Sequence, residues 1–138
     1  MIRRALLDEL PQLFEIRRIV FIEGQNVPEH EERDGRDDTA LHFIALDGSR
    51  AIGTARALIE NSTAKIGRVA VLDSHRGQGI GQDLMRVILD DLRNEGITQA
   101  KLGAQTHAIG FYEALGFTAE GPEFLDAGIP HRTMTLDL

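Results

Sequence analysis

The feature that most constrains the fold is a glycine-rich stretch at residues 76–81, which lies between an apolar run and an amphipathic pattern. The apolar run, residues 69–72, predicts a buried strand. After the glycines, apolar residues recur at helical spacing and predict a helix with one buried face: Leu84, Met85, Ile88, Leu89 and Leu92. The sequence therefore predicts a strand, a glycine loop and a helix in direct succession.

This succession is typical of a site for an anion such as phosphate. The first turn of a helix has backbone N–H groups without an internal partner, and the helix dipole adds partial positive charge there. Glycines at positions 77, 79 and 81 leave no side chain between those N–H groups and an approaching anion. Arg76 adds a fixed charge with paired donors that suit phosphate.

Two nucleotide-binding motifs do not fit this loop. The dinucleotide fingerprint needs glycine at its sixth position, which is Gln82 when the motif begins at Gly77. The phosphate loop of nucleoside triphosphatases needs Gly-Lys-Ser or Gly-Lys-Thr, and neither tripeptide occurs in the chain. A glycine-rich turn without any ligand remains the open alternative.

Composition narrows the class of protein. With 138 residues, 42% of them hydrophobic, the chain is expected to form one domain, residues 1–138. The formal net charge of −7 disfavours nucleic acid as a partner, and no apolar run approaches the ~20 residues of a membrane span. The lack of cysteine excludes disulfides and a thiolate nucleophile, and the five histidines are too scattered to predict a metal site. We expect a cytoplasmic protein that needs no metal.

The negative charge is concentrated at residues 29–38, which hold six carboxylates and two arginines. The favoured interpretation is a solvated loop. The alternative is a rim that attracts a cationic amine.

Turn signals and periodicity predict the order of the remaining elements. An edge strand and a helix that ends near Gly24 come first, and an antiparallel meander fills the middle third. A short helix at residues 107–115 and a loop at residues 120–130 are expected after the glycine loop. The expected strands cover residues 2–6, 40–46, 50–60, 63–72, 97–104, 117–119 and 131–138. The sum is an α+β, or mixed α/β, fold around one sheet.

The glycine stretch resembles the acetyl-CoA loop of the GCN5-related N-acetyltransferase (GNAT) family, whose pattern Arg/Gln-x-x-Gly-x-Gly/Ala is matched by Arg76, Gly79 and Gly81. The resemblance implies a mixed, mostly antiparallel sheet with splayed central strands. It also implies that the loop cradles the CoA pyrophosphate, while the preceding strand pairs with the pantetheine arm. The residues so assigned to acetyl-CoA are Val69, Ala70, Val71, Arg76, Gly77, Gln78, Gly79, Ile80 and Gly81.

Residues 108–117 resemble a second motif of the family, Ala-x-x-hydrophobic-Tyr-x-x-x-Gly-Phe. In the family this tyrosine protonates the leaving thiolate, so the resemblance makes Tyr112 the general acid. A phenol is protonated at neutral pH and is suited to that role. Gln105 stands where the family usually carries Asn, and it joins Phe111 in the acetyl-CoA site by resemblance. The alternative is that Tyr112 only packs against Phe111 and Phe117.

Further segments resemble the ElaA/YjcF-like branch of this family, so that the resemblance extends from residue 21 to residue 131. Members of the branch usually have Glu-Gln where this chain has Gly24-Gln25, with its acidic residue one position earlier at Glu23. The resemblance places the branch-specific segments on the acceptor side of the cleft. It offers four polar candidates for substrate binding: Gln25, His42, Asp126 and His131.

Acetyl transfer to an amine also needs a base and a group that polarises the thioester carbonyl. Glu23, His42, Glu60 and Asp126 qualify as bases by residue type, and Glu23 is the candidate we carry forward. A backbone N–H at residues 69–71 is expected to polarise the thioester carbonyl. Because cysteine is absent, direct attack in a ternary complex is favoured over a covalent acyl-enzyme.

The sequence thus predicts an N-acetyltransferase that moves an acetyl group from acetyl-CoA to a primary amine, either a small molecule or a protein lysine. A monomer or a homodimer is expected. Two alternatives stay open: a non-catalytic acyl-CoA-binding sensor or partner module, and a nucleotide-phosphate binder that uses the same loop. The sequence defines neither the acceptor nor the preferred acyl chain.

Overall fold

The computed structural model describes residues 1–138, whose seven strands form one sheet in the order β1-β2-β3-β4-β5-β7-β6. Neighbouring strands are antiparallel except for β4 and β5, which run parallel. The strands are β1 (Ile2–Arg4), β2 (Leu41–Asp47), β3 (Arg50–Glu60), β4 (Thr63–Val71), β5 (Gln99–Gln105), β6 (Thr118–Asp126) and β7 (Ile129–Asp137).

Four α-helices accompany the sheet: α1 (Leu10–Arg17), α2 (Glu29–Glu32), α3 (Ile80–Asn94) and α4 (Ile109–Glu113). The first helix has Pro11 in its first turn, where a missing N–H costs nothing, and it continues as a π-helix over Arg18–Glu23. Single 3-10 turns lie at Leu7–Glu9, Asp37–Thr39, Asp73–His75 and Thr106–Ala108. None of these helices is long and apolar enough to cross a membrane.

The hydrophobic core lies on both faces of the sheet, and each face is covered by a different helix. The apolar side of α3, including Leu84 and Ile88, packs on one face against the alternate residues of β4, β5 and β7. The helix α1 covers the opposite face only above the first strands, where Leu13 and Ile16 meet Ile44. On that opposite face, the part of the sheet beyond β4 is left open.

The two parallel strands separate soon after they begin. Their pairing covers three residues on each strand, and the last pair is Lys65 with Lys101. On its other edge β5 pairs with β7 along its whole length, Gln99–Gln105, and β4 carries a bulge at which Arg68 has a φ of 55°. The backbone groups of β4 that face β5 therefore have no partner strand at residues 66–71, and a slot opens between the two strands.

The predicted fold class, with its splayed central strands, is confirmed, but one segment was predicted wrongly. Residues 120–130, expected as a loop, form most of a hairpin between β6 and β7. The hairpin turns at Ala127 and Gly128, both with positive φ, and Pro122 falls where the register of β6 shifts. Glycine and proline indicate a loop by composition, yet an edge strand with a bulge accommodates both.

Candidate active site

The slot between β4 and β5 widens into a cleft of about 750 Å³. Its lining residues come from the segment after α1, the strands β3, β4 and β5, the start of the glycine loop, the region around α4, and the β6–β7 hairpin. Of the candidates from sequence, the cleft brings together Val69, Ala70, Val71, Arg76, Gln105, Tyr112, Gln25, Asp126 and His131. Residues assigned separately to acetyl-CoA, to acid catalysis and to the acceptor thus share one cavity.

The glycine loop lies at the end of β4, where the chain enters α3. Gly77 and Gly79 have φ angles of 76° and 78°, a conformation that favours glycine, and a Cβ at either position would meet no heavy atom within 4 Å. Asp83 is the first residue of α3 whose backbone N–H has a hydrogen-bond partner; it donates to the Gly79 carbonyl oxygen at 3.0 Å. The N–H groups of residues 80–82 therefore point out of the helix into open space, as an anion site requires.

The side chain of Arg76 is held beside this loop rather than extended into solvent. Its Nε donates to the Val71 carbonyl oxygen at 3.0 Å, and its guanidinium forms an ion pair with Asp73. These contacts leave the side chain about half exposed and fix a positive charge at the mouth of the cleft.

Tyr112 projects from α4 towards the cleft and is packed by two aromatic neighbours. Its ring centroid lies 4.9 Å from that of Phe111 and 6.0 Å from that of Phe117. Burial raises the pKa of Tyr112 to about 12, so the phenol keeps its proton throughout the neutral range. Phe111 lies against the glycine loop, because a Cβ on Gly81 would stand 3.6 Å from its ring.

Gln105 and Gln25 are joined across the cleft by a hydrogen bond of 2.9 Å, from Gln105 Nε2 to Gln25 Oε1. The bond ties the end of β5 to the segment that follows the π-helix. Gln105 was expected to contact acetyl-CoA. In the structure its amide donates to Gln25, a residue that was expected to bind substrate.

His131 has its ring orientation and tautomer fixed by the backbone. Its Nδ1 donates to the Ile129 carbonyl oxygen at 2.6 Å, and since a carbonyl only accepts, Nε2 carries the lone pair in the neutral ring. The ring stacks on Phe124 and is only 8% exposed. Nε2 has no hydrogen-bond partner. Since every fully buried side-chain nitrogen in the protein has one, Nε2 is not fully buried, and solvent reaches it from the cleft that the ring lines.

The acidic segment, residues 29–38, is solvated over most of its length, as the favoured interpretation expects, but Glu32 and Asp37 are buried. Three of its carboxylates form ion pairs with arginines from α1, β3 and β4. Arg17 binds Glu32 at 2.9 Å and Asp37 at 2.7 Å, and both carboxylates are almost fully buried. Arg68, on the bulge of β4, binds Glu32 at 2.9 Å.

Arg56 completes this ionic network through Asp34, at 2.9 Å, and Asp37, at 3.1 Å. The hydrogen bonds from Arg56 hold the pKa of Asp34 well below its usual range. Because the three arginines balance the three carboxylates, this part of the segment offers little free negative charge to a cationic amine. The contacts fasten it to the bulge instead.

Eight candidates from sequence do not line the cleft: Glu23, His42, Phe111 and the loop residues Gly77, Gln78, Gly79, Ile80 and Gly81. The loop directly follows Arg76, which does line it, and Phe111 packs beside the loop, whereas Glu23 and His42 are held elsewhere. Glu23, expected as the base, pairs with Arg18 on the surface, and more than half of its side chain is exposed. His42, expected to bind substrate, is buried, and its Nε2 donates to the Asp37 carbonyl oxygen at 2.8 Å. Neither residue can reach a substrate in the cleft, because other protein groups hold both side chains elsewhere.

Sequence reasoning also missed residues that the structure places in the cleft. Arg68 was seen only as part of a strand, although positive φ at a non-glycine residue marks a special position. Lys65 and Lys101 lie 36 positions apart, and nothing in the local sequence indicates that they are neighbours. The pairing of distant strands brings all three together.

Comparisons with known proteins agree with this geometry. Residues 19–138 match the family model described as an acetyltransferase (GNAT) domain. The uncharacterized N-acetyltransferase YjcF of Bacillus subtilis (strain 168) is 36% identical over 131 residues, which cover 94% of this chain and 94% of that protein.

Solved structures share the same architecture. The crystal structure of Escherichia coli ElaA matches with a TM-score of 0.89 and 29% identity, covering 98% of each chain. An aminoglycoside 6′-N-acetyltransferase, solved as a complex with coenzyme A, matches with a TM-score of 0.80 at 16% identity, covering 99% of this chain and 96% of that one. The latter match shows a common fold.

Proposed function

Because the chain belongs to the GNAT acetyltransferase family and is an acyl-CoA-dependent N-acyltransferase, we propose that it moves an acetyl group from acetyl-CoA to a primary amine. The amine attacks directly, in a ternary complex, and residues 1–138 act as one catalytic domain. The acceptor is a small amine or a protein lysine.

The observation that carries this proposal is that three features lie along one slot. An anion-binding loop lies at one end of the slot, an unpaired strand edge runs along it, and a protonated phenol stands beside it. A bare glycine-rich turn would account for the first feature but not for the other two.

The residues present fit acetyl-CoA. The free N–H groups at residues 80–82 and the charge of Arg76 suit the pyrophosphate, and the open backbone edge at residues 69–71 suits the amides of the pantetheine arm. Phe111 and the positive-φ glycines at 77 and 79 shape the loop around that anion. Bound acetyl-CoA would supply the acetyl group as an activated thioester.

The backbone and Tyr112 then act on the thioester from the protein side. A backbone N–H beside the bulge of β4 donates to the carbonyl oxygen as negative charge develops there. Tyr112 holds its proton towards the leaving sulfur. Since the pKa of Tyr112 is about 12 and that of a typical thiol is about 8.5, hydrogen-bond donation to the sulfur is favoured over complete proton transfer.

His131 replaces Glu23 as the base in this proposal. The Ile129 carbonyl fixes the proton on Nδ1, which leaves the lone pair of Nε2 free to accept a proton from the amine, directly or through one water. Asp126, on the same hairpin and in the same cleft, is suited to hold the substrate ammonium beforehand. Gln25 and Gln105 bound the acceptor side of the cleft.

The test is thiol release from acetyl-CoA with a panel of primary amines, with the acetylated product identified by mass spectrometry. Tyr112→Phe should lower kcat by roughly tenfold or more without weakening acetyl-CoA binding, and His131→Gln should lower it by roughly a hundredfold. His30→Gln is the matched control, because His30 is exposed and lies outside the cleft.

The split between kcat and KM separates a base from a packing residue. His131→Gln should lower kcat and leave KM for acetyl-CoA unchanged, whereas loss of a residue that only shapes the cleft would change KM as well. Thiol release that requires no amine, or none with any amine, would contradict the proposed function.

A further inference from the structure

The only two lysines in the chain are direct neighbours in the structure. The remaining basic residues, of 15 lysines and arginines in all, are arginines. Lys65 and Lys101 nevertheless form the last register pair of β4 and β5, at the point where the strands separate. Partners in register project to the same face of a sheet, here the face opposite α3, and both side chains are exposed and line the cleft.

Nothing in the protein neutralises this pair. Ion pairs engage most of the arginines, but neither ammonium group forms an ion pair or a hydrogen bond. In register, Leu58 stands beside Lys65 and Thr135 beside Lys101, and the carboxylates Glu60 and Asp137 lie one row farther from the cleft. Two like charges directly opposite each other repel, and an anion between them would remove the repulsion.

The charge of the cleft as a whole has the same sign. Its lining contains six cationic and four anionic side chains, although the chain as a whole carries −7. The ionic network pairs Glu32 and Asp34 with the lining arginines Arg68 and Arg56, and Arg76 is paired with Asp73. The lining side chains without an ion pair are then three cations, Arg36, Lys65 and Lys101, and two carboxylates, Glu31 and Asp126. A cleft that is positive within an acidic protein favours an anionic group of the ligand.

The phosphates of CoA are too far away to serve as that anion. The glycine loop follows Val71, which is six residues beyond Lys65 on β4 and therefore about 20 Å away along the strand. The lysine pair lies at the fork, at the opposite end of the slot. The anion must therefore belong to the acceptor.

We propose that Lys65 and Lys101 form a subsite for an anionic group of the acceptor, so that the substrate is an amine that also carries a carboxylate or a phosphate. This inference rests on the proposed acetyl transfer. Gln105, opposite His131, is four residues from Lys101, about 13 Å along β5. The amine and the anion are thus several bonds apart, which favours longer acceptors over α-amino acids, whose two charged groups share one carbon.

The experiment compares matched amines that differ only in the anion. Glucosamine 6-phosphate against glucosamine tests phosphate, and triglycine against triglycine amide tests carboxylate. In the wild-type protein, kcat/KM should be at least about tenfold higher for the anionic member of one pair, and that preference should fall with added salt.

Substitution of the two lysines tests whether they cause this preference for the anionic amine. The double variant Lys65→Met/Lys101→Met should lose most of the preference, since Met keeps the aliphatic stem without the charge. Lys65→Arg/Lys101→Arg should retain part of it. Arg50→Met is the control for loss of one cation, because Arg50 lies outside the cleft.

The outcomes distinguish this inference from the proposed function. Equal rates for both members of both pairs, or a preference that survives loss of both lysines, would overturn the subsite while leaving acetyl transfer intact. Acetylation of Lys65 or Lys101 themselves, detected by mass spectrometry after incubation with acetyl-CoA alone, would also overturn it, because the lysines would then be acceptors. Failure with every amine would refute the transfer reaction itself.

Discussion

Gln105 and Gln25, 80 residues apart in the chain, are joined by a hydrogen bond of 2.9 Å across the cleft that both side chains line. The bond links the end of β5 to the turn after the π-helix.

We predict that Gln105→Ala raises KM for the amine several-fold and leaves acetyl-CoA affinity unchanged, because the lost contact is on the acceptor side. Gln25→Ala should have the same effect, and the double variant should be little worse than either single one, since both remove one bond worth about 1 kcal/mol. Steady-state kinetics measures KM for the amine, and calorimetric titration measures acetyl-CoA affinity. Gln99→Ala, on the same strand outside the cleft, is the control. Weaker acetyl-CoA binding in Gln105→Ala would instead favour the direct CoA contact expected by resemblance.

The phenol of Tyr112 is predicted to ionise at a higher pH than a free tyrosine. It is the only tyrosine and the chain has no tryptophan, so ultraviolet absorbance follows one phenol. Burial raises the pKa of Tyr112 to about 12 in the folded protein, against about 10 in urea. Because the folded pKa is the higher one, the stability from this group is complete below about pH 10 and is lost as pH rises towards 12. A midpoint near 10 in the folded protein would show an exposed phenol.

The ionic network is predicted to make the protein sensitive to acid. Arg56 lowers the pKa of Asp34 below its ordinary value of 3.8, so the contribution of Asp34 to stability is complete above that value and is lost as pH falls below it. Urea midpoints measured between about pH 5 and pH 3 should therefore decline less steeply in Asp34→Asn than in the wild type. Asp38→Asn, an exposed carboxylate without an ion pair, should keep the wild-type slope. Equal slopes in all three proteins would contradict this role.

Gly79→Ala is predicted to damage the anion-binding loop. At a φ of 78° the new methyl group strains the backbone by about 1–2 kcal/mol, and it projects into the open space that an anion would occupy. Acetyl-CoA affinity should fall at least about tenfold, as measured by calorimetric titration. Gly110→Ala is the matched control, because Gly110 lies in α4 with helical φ and open space around it. Unchanged affinity in Gly79→Ala would show that the ligand does not approach this loop.

Local patterns were sufficient to predict much of the architecture. The apolar run before Asp73, the glycine loop and the one-sided helix α3 were all predicted where they occur, because each depends on neighbours in sequence. The short helix that carries Tyr112 was also predicted from its local pattern and the Gly116 stop. The fold class followed from the order of these elements.

The rest depends on contacts between distant residues. The base could not be chosen from sequence, because the hydrogen bond that orients His131 and the ion pair that removes Glu23 exist only in the folded chain. The ionic network escaped prediction for the same reason: Arg56 and Arg68 lie 19 to 36 residues from the carboxylates that they bind. The β6–β7 hairpin was missed because Gly121 and Pro122 interrupt the strand pattern.

The most direct test of the central claim is thermal unfolding in the presence of titrated acetyl-CoA, CoA and ATP. A ligand that binds only the folded state raises Tm in a saturable way. The account predicts a clear, saturable increase with acetyl-CoA and with CoA and little change with ATP, and it predicts that Gly79→Ala loses the increase. No change in Tm with any CoA species would mean that the glycine loop is only a turn, and the proposed transfer reaction would be contradicted with it.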